Sequence, residues 1–295
     1  MHNSVIDLIG NTPLVKSTVL NTNKNVSLYF KLEGTNPGGS VKDRAALNMV
    51  QSALERGTID KNTLLIEATS GNTGIALAMI ARLKGLQIEL VMPENATKER
   101  VQTMRAYGAK VTLTPSDAGI EGARDYAESQ VRENGRVMVN QFANDDNWKA
   151  HYKTTGPEIW RDTQGTITHF VSAMGTTGTI MGTSTYLKEQ DPTIQIVGVQ
   201  PKEGAKIPGI RKWPDAYLPK IYNARKVDHI MEVGQGQASE MARALAAKEG
   251  IFAGMSSGGA AWAAVQLASS LEKGVVVSIV CDRGDRYLSS PLFDH

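Results

Sequence analysis

Cysteine is almost missing from this sequence: Cys281 is the only one in 295 residues. An internal disulfide is therefore impossible, no thiolate cluster can hold zinc, and a reducing cytoplasm is the expected compartment. Long apolar runs are missing too. None approaches the roughly 20 residues that span a bilayer, and residues 1–10 lack the basic-then-apolar order of a secretory leader, so no membrane partner is expected. Charge of one sign is scarce: Lys plus Arg exceed Asp plus Glu by a net +2. The cations are scattered rather than gathered, which removes the electrostatic footprint of a nucleic-acid binder. The histidines, His2, His151, His169, His229 and His295, show no ligand spacing, so no metal is expected. No repeat, low-complexity tract or heptad supports a solenoid or scaffold. Small molecules are the expected partners.

What is present is an apolar content of 41%, enough for a large core. From Thr63 onward, short β-rich runs alternate with helical patterns. Strands are predicted over 64–68 and 88–92, with helices over 75–84 and 98–107. A second series places strands over 169–173, 194–199 and 275–280, with a helix ending near Lys188. That rhythm predicts an α/β protein of parallel βαβ units in two lobes. The polar stretch 144–148 suits a turn and a helix N-cap, and marks a boundary between the lobes.

In such sheets ligands sit beyond the carboxyl ends of the strands. The turn after residue 68 reads Thr69, Ser70, Gly71, Asn72, Thr73, Gly74. Its hydroxyls, amide side chain and helix-start N–H groups suit a carboxylate. After residue 173 come Gly175, Thr176, Thr177, Gly178 and Thr179, where a tight glycine turn aims N–H groups and hydroxyls as a phosphate requires. Taken singly, each loop is also compatible with an ordinary N-cap and turn glycines. Neither a Walker loop nor a dinucleotide fingerprint is present: Ser40 and Val41 separate Gly39 from Lys42, and no G-x-G-x-x-G follows a strand.

A lysine in an odd place completes the pattern. Lys42, in the run Pro37-Gly38-Gly39-Ser40-Val41-Lys42-Asp43-Arg44, opens a helix whose Ala46, Met49, Val50 and Ala53 form an apolar stripe. The positive end of a helix dipole disfavours an ammonium there, which frees the amine for Schiff-base chemistry.

Gly10-Asn11-Thr12-Pro13-Leu14, Lys31-Leu32-Glu33, Ser40-Val41-Lys42-Asp43-Arg44, the two glycine-threonine loops and Ser256-Ser257-Gly258 together resemble the cysteine synthase family of fold-type II pyridoxal-phosphate enzymes, nearly end to end. The resemblance implies lobes over 36–145 (with 1–12) and 146–295 (with 13–35 crossing into it), each a mostly parallel sheet flanked by helices. It implies pyridoxal 5'-phosphate bound to Lys42, which then serves as the base for the substrate α-proton. Asn72 would meet the cofactor's ring hydroxyl oxygen, Gly175, Thr176, Thr177, Gly178 and Thr179 its phosphate, and Ser256 its pyridine nitrogen. Thr69, Ser70, Thr73 and Gln141 would bind the amino-acid carboxylate. The implied reaction is β-replacement through an α-aminoacrylate, turning O-acetylserine or O-phosphoserine plus sulfide or thiosulfate into cysteine or S-sulfocysteine, in a homodimer. Ile207-Pro208-Gly209-Ile210-Arg211-Lys212-Trp213 and Cys281-Asp282-Arg283-Gly284-Asp285-Arg286 resemble the B branch of the family. Arg211 is accordingly the candidate for an anionic sulfur donor.

Two other readings remain open at this point. A related β-replacement enzyme of the cystathionine β-synthase kind shares the lysine and asparagine loops. A serine hydrolase is suggested by Gly254-Met255-Ser256-Ser257-Gly258, but the only histidine after that serine is His295.

Overall fold

The computed structural model describes residues 1–69 and 71–294. In chain order, the strands are β1 (Leu14–Lys16), β2 (Val26–Leu32), β3 (Leu64–Ala68), β4 (Gln87–Pro93), β5 (Lys110–Thr114), β6 (Val137–Met138), β7 (His169–Ala173), β8 (Gln195–Pro201), β9 (His229–Val233) and β10 (Gly274–Val280). The helices are α1 (Lys42–Glu55), α2 (Asn72–Lys84), α3 (Lys98–Ala106), α4 (Gly119–Asn134), α5 (Asp145–Lys153), α6 (Thr155–Asp162), α7 (Gly178–Gln190), α8 (Gln235–Glu249) and α9 (Met255–Ser270).

They build two sheets. The smaller runs β5-β4-β3-β6, all parallel, and the larger runs β1-β2-β10-β7-β8-β9, parallel except for the antiparallel edge strand β1. β2, from the first part of the chain, pairs with β10 along its whole length, so the N-terminal segment is built into the sheet of the C-terminal half. β3 and β4 are buried almost throughout, as expected of parallel strands covered on both faces. α2 is buried from Thr73 to Ala81 without a polar face, so it packs as a core helix rather than an amphipathic one. It stops at Gly85, whose φ of +69° lets its N–H return to the Ala81 carbonyl.

The helix predicted over 75–84 begins earlier, at Asn72, because Thr73 and Gly74 of the loop enter the first turn. The polar stretch 144–148 does contain an N-cap: the Asn144 side chain accepts the Asp146 N–H and opens α5. The ends of β2, β3, β7 and β10 lead into the loops that carry the lysine, asparagine, glycine-threonine and Cys281 motifs. Among the described residues no helix is long and apolar enough to cross a membrane.

Candidate active site

Lys42 is the first residue of α1 and lies half-buried. Burial pushes its pKa down from the usual lysine value, opposed by Cys281 and Asp282. Desolvation of the ammonium is thus the chief cause, whereas the sequence suggests the helix dipole. Its amine forms no ion pair among the described residues. The preceding turn is pinned to the end of β10, with Val41 N–H donating to the Cys281 carbonyl (2.8 Å) and Ser40 bridged to Asp282.

Beyond the end of β3, Asn72 sits at the start of α2. Its Nδ2 donates to Asp282 Oδ2 (2.7 Å), and its Oδ1 accepts from Arg286 Nη1 (2.5 Å). Thr69 and Thr73 are buried, and Thr73 Oγ1 donates to Gln141 Oε1 (2.8 Å), which joins the asparagine loop to Gln141. Gln141 is held from beneath by the buried Glu67, whose carboxyl accepts the backbone N–H groups of Asn140 (2.8 Å) and Gln141 (3.4 Å). Ser70 lies outside the described residues.

The second loop fits a phosphate ester. Thr177 has φ +71°, a left-handed conformation that β-branched residues rarely adopt, and its buried Oγ1 has no partner among the described residues. Backbone strain of this kind clusters at functional sites. A side chain at Gly175 would fall 2.8 Å from the Gly209 carbonyl, so only glycine lets the 207–213 loop close over it. Trp213 Nε1 donates to the Gly175 carbonyl (2.7 Å). Gly178 and Thr179 open α7, whose first N–H groups have no carbonyl a turn before them. Thr179 Oγ1 lies 3.3 Å from His151 Nε2, and His151 Nδ1 lies 2.8 Å from Thr155 Oγ1. Burial first, then the charge of Arg44, drives His151 down to about 3, so the ring is neutral.

Ser256 is buried beneath Gly209, where an added Cβ would meet its Cβ and Oγ at 3.1 Å. Its hydroxyl bonds the Cys281 thiol, which burial and then Asp282 push up to about 12. The thiol is accordingly protonated and unreactive. No histidine of the described residues hydrogen-bonds Ser256, and His295 is outside them. Arg211 stands apart. Its backbone N–H donates to the Met174 carbonyl (2.8 Å), but its guanidinium is exposed, 5.9 Å from the Trp213 ring centre. Neighbouring Lys212 is tied to Glu232 on the surface (2.7 Å).

Sequence reasoning passes over several residues that organise this site. Asn147, inside the boundary stretch, donates to both the Gln141 carbonyl (2.7 Å) and Thr176 Oγ1 (3.2 Å), linking the two loops. Asp282 accepts from Asn72, from Tyr287 (2.6 Å) and from Ser257 (3.4 Å). The polar run just after the last strand was the available signal for it. The motif residues Thr12, Lys31, Glu33 and Arg44 meet Glu158 in a buried ionic network (2.6–3.0 Å) beneath α1 rather than at the site itself.

The chain matches the model of the pyridoxal-phosphate dependent enzyme family over residues 5–282. It is 56% identical over 291 residues to cysteine synthase B of Pseudomonas aeruginosa, covering 99% of this chain and 97% of that one. Its fold is similar to cysteine synthase from Entamoeba histolytica (TM-score 0.95, 36% identity, 100% and 91% of the two chains). It is also similar to an O-acetylserine dependent cystathionine beta-synthase from Helicobacter pylori (TM-score 0.91, 36% identity, 99% of each). With a lysine amine, an asparagine amide and a phosphate-shaped loop gathered at the strand ends, the chain belongs to the pyridoxal-phosphate dependent enzymes, in their cysteine synthase family.

Proposed function

We propose that this chain makes cysteine or S-sulfocysteine by β-replacement, in which an activated serine, O-acetylserine or O-phosphoserine, exchanges its β-substituent for sulfide or thiosulfate respectively. The observation that carries the reading is the buried amine of Lys42, without an ion-pair partner among the described residues and set among Asp282, Cys281 and their hydrogen-bond partners Asn72 and Ser256. Pyridoxal 5'-phosphate, when bound, supplies the electron sink that acidifies the substrate α-carbon.

Lys42 would hold that cofactor and would serve as the base for the α-proton, a role that a lowered pKa suits. Gly175, Thr176, Thr177, Gly178 and Thr179 would hold the phosphate, which would give Thr177 Oγ1 the partner it lacks. Asn72 would donate to the ring hydroxyl oxygen. Ser256 would face the pyridine nitrogen as a neutral hydrogen-bond partner that does not enforce ring protonation. Thr69, Ser70, Thr73 and Gln141 bind the amino-acid carboxylate, and closing that loop excludes water. Arg211, on the exposed rim, attracts the anionic donor. The single cysteine supports a cytoplasmic setting, and the family resemblance supports a homodimer.

A second reading, replacement by a larger thiol, is supported by the likeness to the Helicobacter pylori protein. One assay separates the two. The purified protein should be yellow and, given O-acetylserine, should form cysteine with sulfide and S-sulfocysteine with thiosulfate, both identified by mass. Product formed only with homocysteine would favour the second reading. A colourless protein that takes up no pyridoxal phosphate would overturn both.

A further inference from the structure

Arg286 has no part in the roles assigned above, yet it touches both elements that deliver the reactive side chains. A carboxamide can be turned end for end, and an asparagine aimed at an acceptor is useful only if its N–H end faces that acceptor. For Asn72 the choice is fixed by its neighbours. Oδ1 accepts from Arg286 Nη1 at 2.5 Å, and Nδ2 donates to Asp282 Oδ2 at 2.7 Å. A guanidinium has only donors, so the turned amide would set N–H against N–H at Arg286 and oxygen against oxygen at Asp282. Asp282 is itself held by the Tyr287 hydroxyl at 2.6 Å. One Nδ2 hydrogen is thereby left over for a ligand.

Arg286 also reaches the lysine. Its Nη2 donates to the Gly38 carbonyl in the turn before α1, and the Gly38 N–H donates to Asp43 Oδ2 (2.5 Å). One half-buried guanidinium therefore spans the Lys42 turn and the Asn72 helix start.

We propose that Arg286 is a positioning residue that locks the Asn72 amide with its free N–H toward the cofactor. The proposal rests on the reading in which Asn72 touches pyridoxal phosphate. A merely structural staple would act without Asn72, so the test is a double-mutant cycle on the cofactor-loaded protein, comparing wild type, Arg286→Met, Asn72→Ala and the double variant. Cofactor dissociation constants and the visible absorption band are measured for each.

Arg286→Met should weaken cofactor binding about tenfold in the wild-type background and shift the band, as loss of a charge-assisted contact predicts. In the Asn72→Ala background the same substitution should change binding less than about twofold and leave the band in place. Should Arg286→Met not fold, Arg286→Gln, which keeps a neutral donor for Gly38, enters the cycle in its place. Equal losses in both backgrounds, or no loss in either, would remove the positioning role while leaving the cofactor assignment intact. Wild type that takes up no pyridoxal phosphate would overturn that assignment as well.

Discussion

Lys31 and Lys42 are both drawn into the interior and end in opposite surroundings. Lys31 is completely buried and its amine is saturated: it donates to the Thr12 carbonyl (2.6 Å) and pairs with Glu158 (2.9 Å) and Asp162 (3.3 Å). Lys42 is less deeply buried and forms no ion pair among the described residues. Depth alone thus does not decide what a buried amine becomes. The number of acceptors within reach does, because anions offset the desolvation of an ammonium and their absence shifts the balance toward the free amine. The first lysine is locked into the frame, and the second is left available for chemistry.

The largest test of this contrast is to exchange the two losses. Lys42→Ala should lower turnover by at least about 10³-fold, the scale of losing a positioned base, while the melting temperature stays within about 2 °C, since alanine suits a helix start. Borohydride reduction followed by peptide mapping should find the pyridoxyl group on Lys42 and not on Lys31. Label on Lys31 would reverse the assignment.

Glu158→Gln should do the opposite. Its carboxylate meets both Lys31 and Arg44 and is held at about 2 by Arg44 and Lys31 against the effect of burial. Uncompensating a buried charge typically costs about 3–5 kcal/mol, to be read as a lower urea midpoint in a protein that still binds cofactor. An unchanged midpoint would deny the network its structural role.

His151 lies in the field of both sites, with Arg44 and Lys42 each disfavouring its imidazolium after burial has done so. Its folded-state value of about 3 is below the ordinary 6.5. The stability it contributes is therefore fully present above about pH 6.5 and is lost as the pH falls toward about 3, where the folded state at last binds the proton. Glu158 adds a second loss, between its ordinary 4.5 and about 2. Buried Asp43 and Glu67, each raised by burial to about 7, also take up protons on folding in the window from about pH 7 to 5 and oppose the histidine there. The check is therefore a difference: the urea midpoint of the wild type relative to that of His151→Gln should fall as the pH drops from about 7 to 5, and parallel profiles would contradict this.

The smallest expected effect is at Ser256. Ser256→Ala removes one neutral hydrogen bond, worth about 0.5–1.5 kcal/mol, so turnover should drop about 2- to 13-fold with the cofactor retained. A loss as large as that of Lys42→Ala would make Ser256 something other than a neutral partner.

The elements around these residues differ in how far they can be read from sequence. β3, β4 and β7 are legible because each is a short apolar run closed by a polar turn, which bears glycine after β3 and β7. Those same turns announce the Asn72 and Gly175 loops. The partners of the loop residues are not legible. Asn72 meets Asp282 across 210 positions and Arg44 meets Glu158 across 114, and local periodicity carries no information about such pairings. The run Lys31-Leu32-Glu33 likewise does not tell a catalytic motif from a buried ion network, since both require charged residues in apolar company. Asn147 is masked by its own setting, a polar stretch that suits an N-cap equally well.

The left-handed Thr177, with its unanswered hydroxyl, has a consequence beyond the reaction. A chain that holds such a conformation unaided carries a cost of order 1–3 kcal/mol, which an occupant of the loop would offset. Whatever binds only the folded form also draws the population toward it by mass action. A change of 1–2 kcal/mol in folded stability is enough to alter protein abundance in a cell several-fold. The level of this protein should therefore rise and fall with the cell's supply of vitamin B6, the nutrient behind its cofactor, before any gene is regulated.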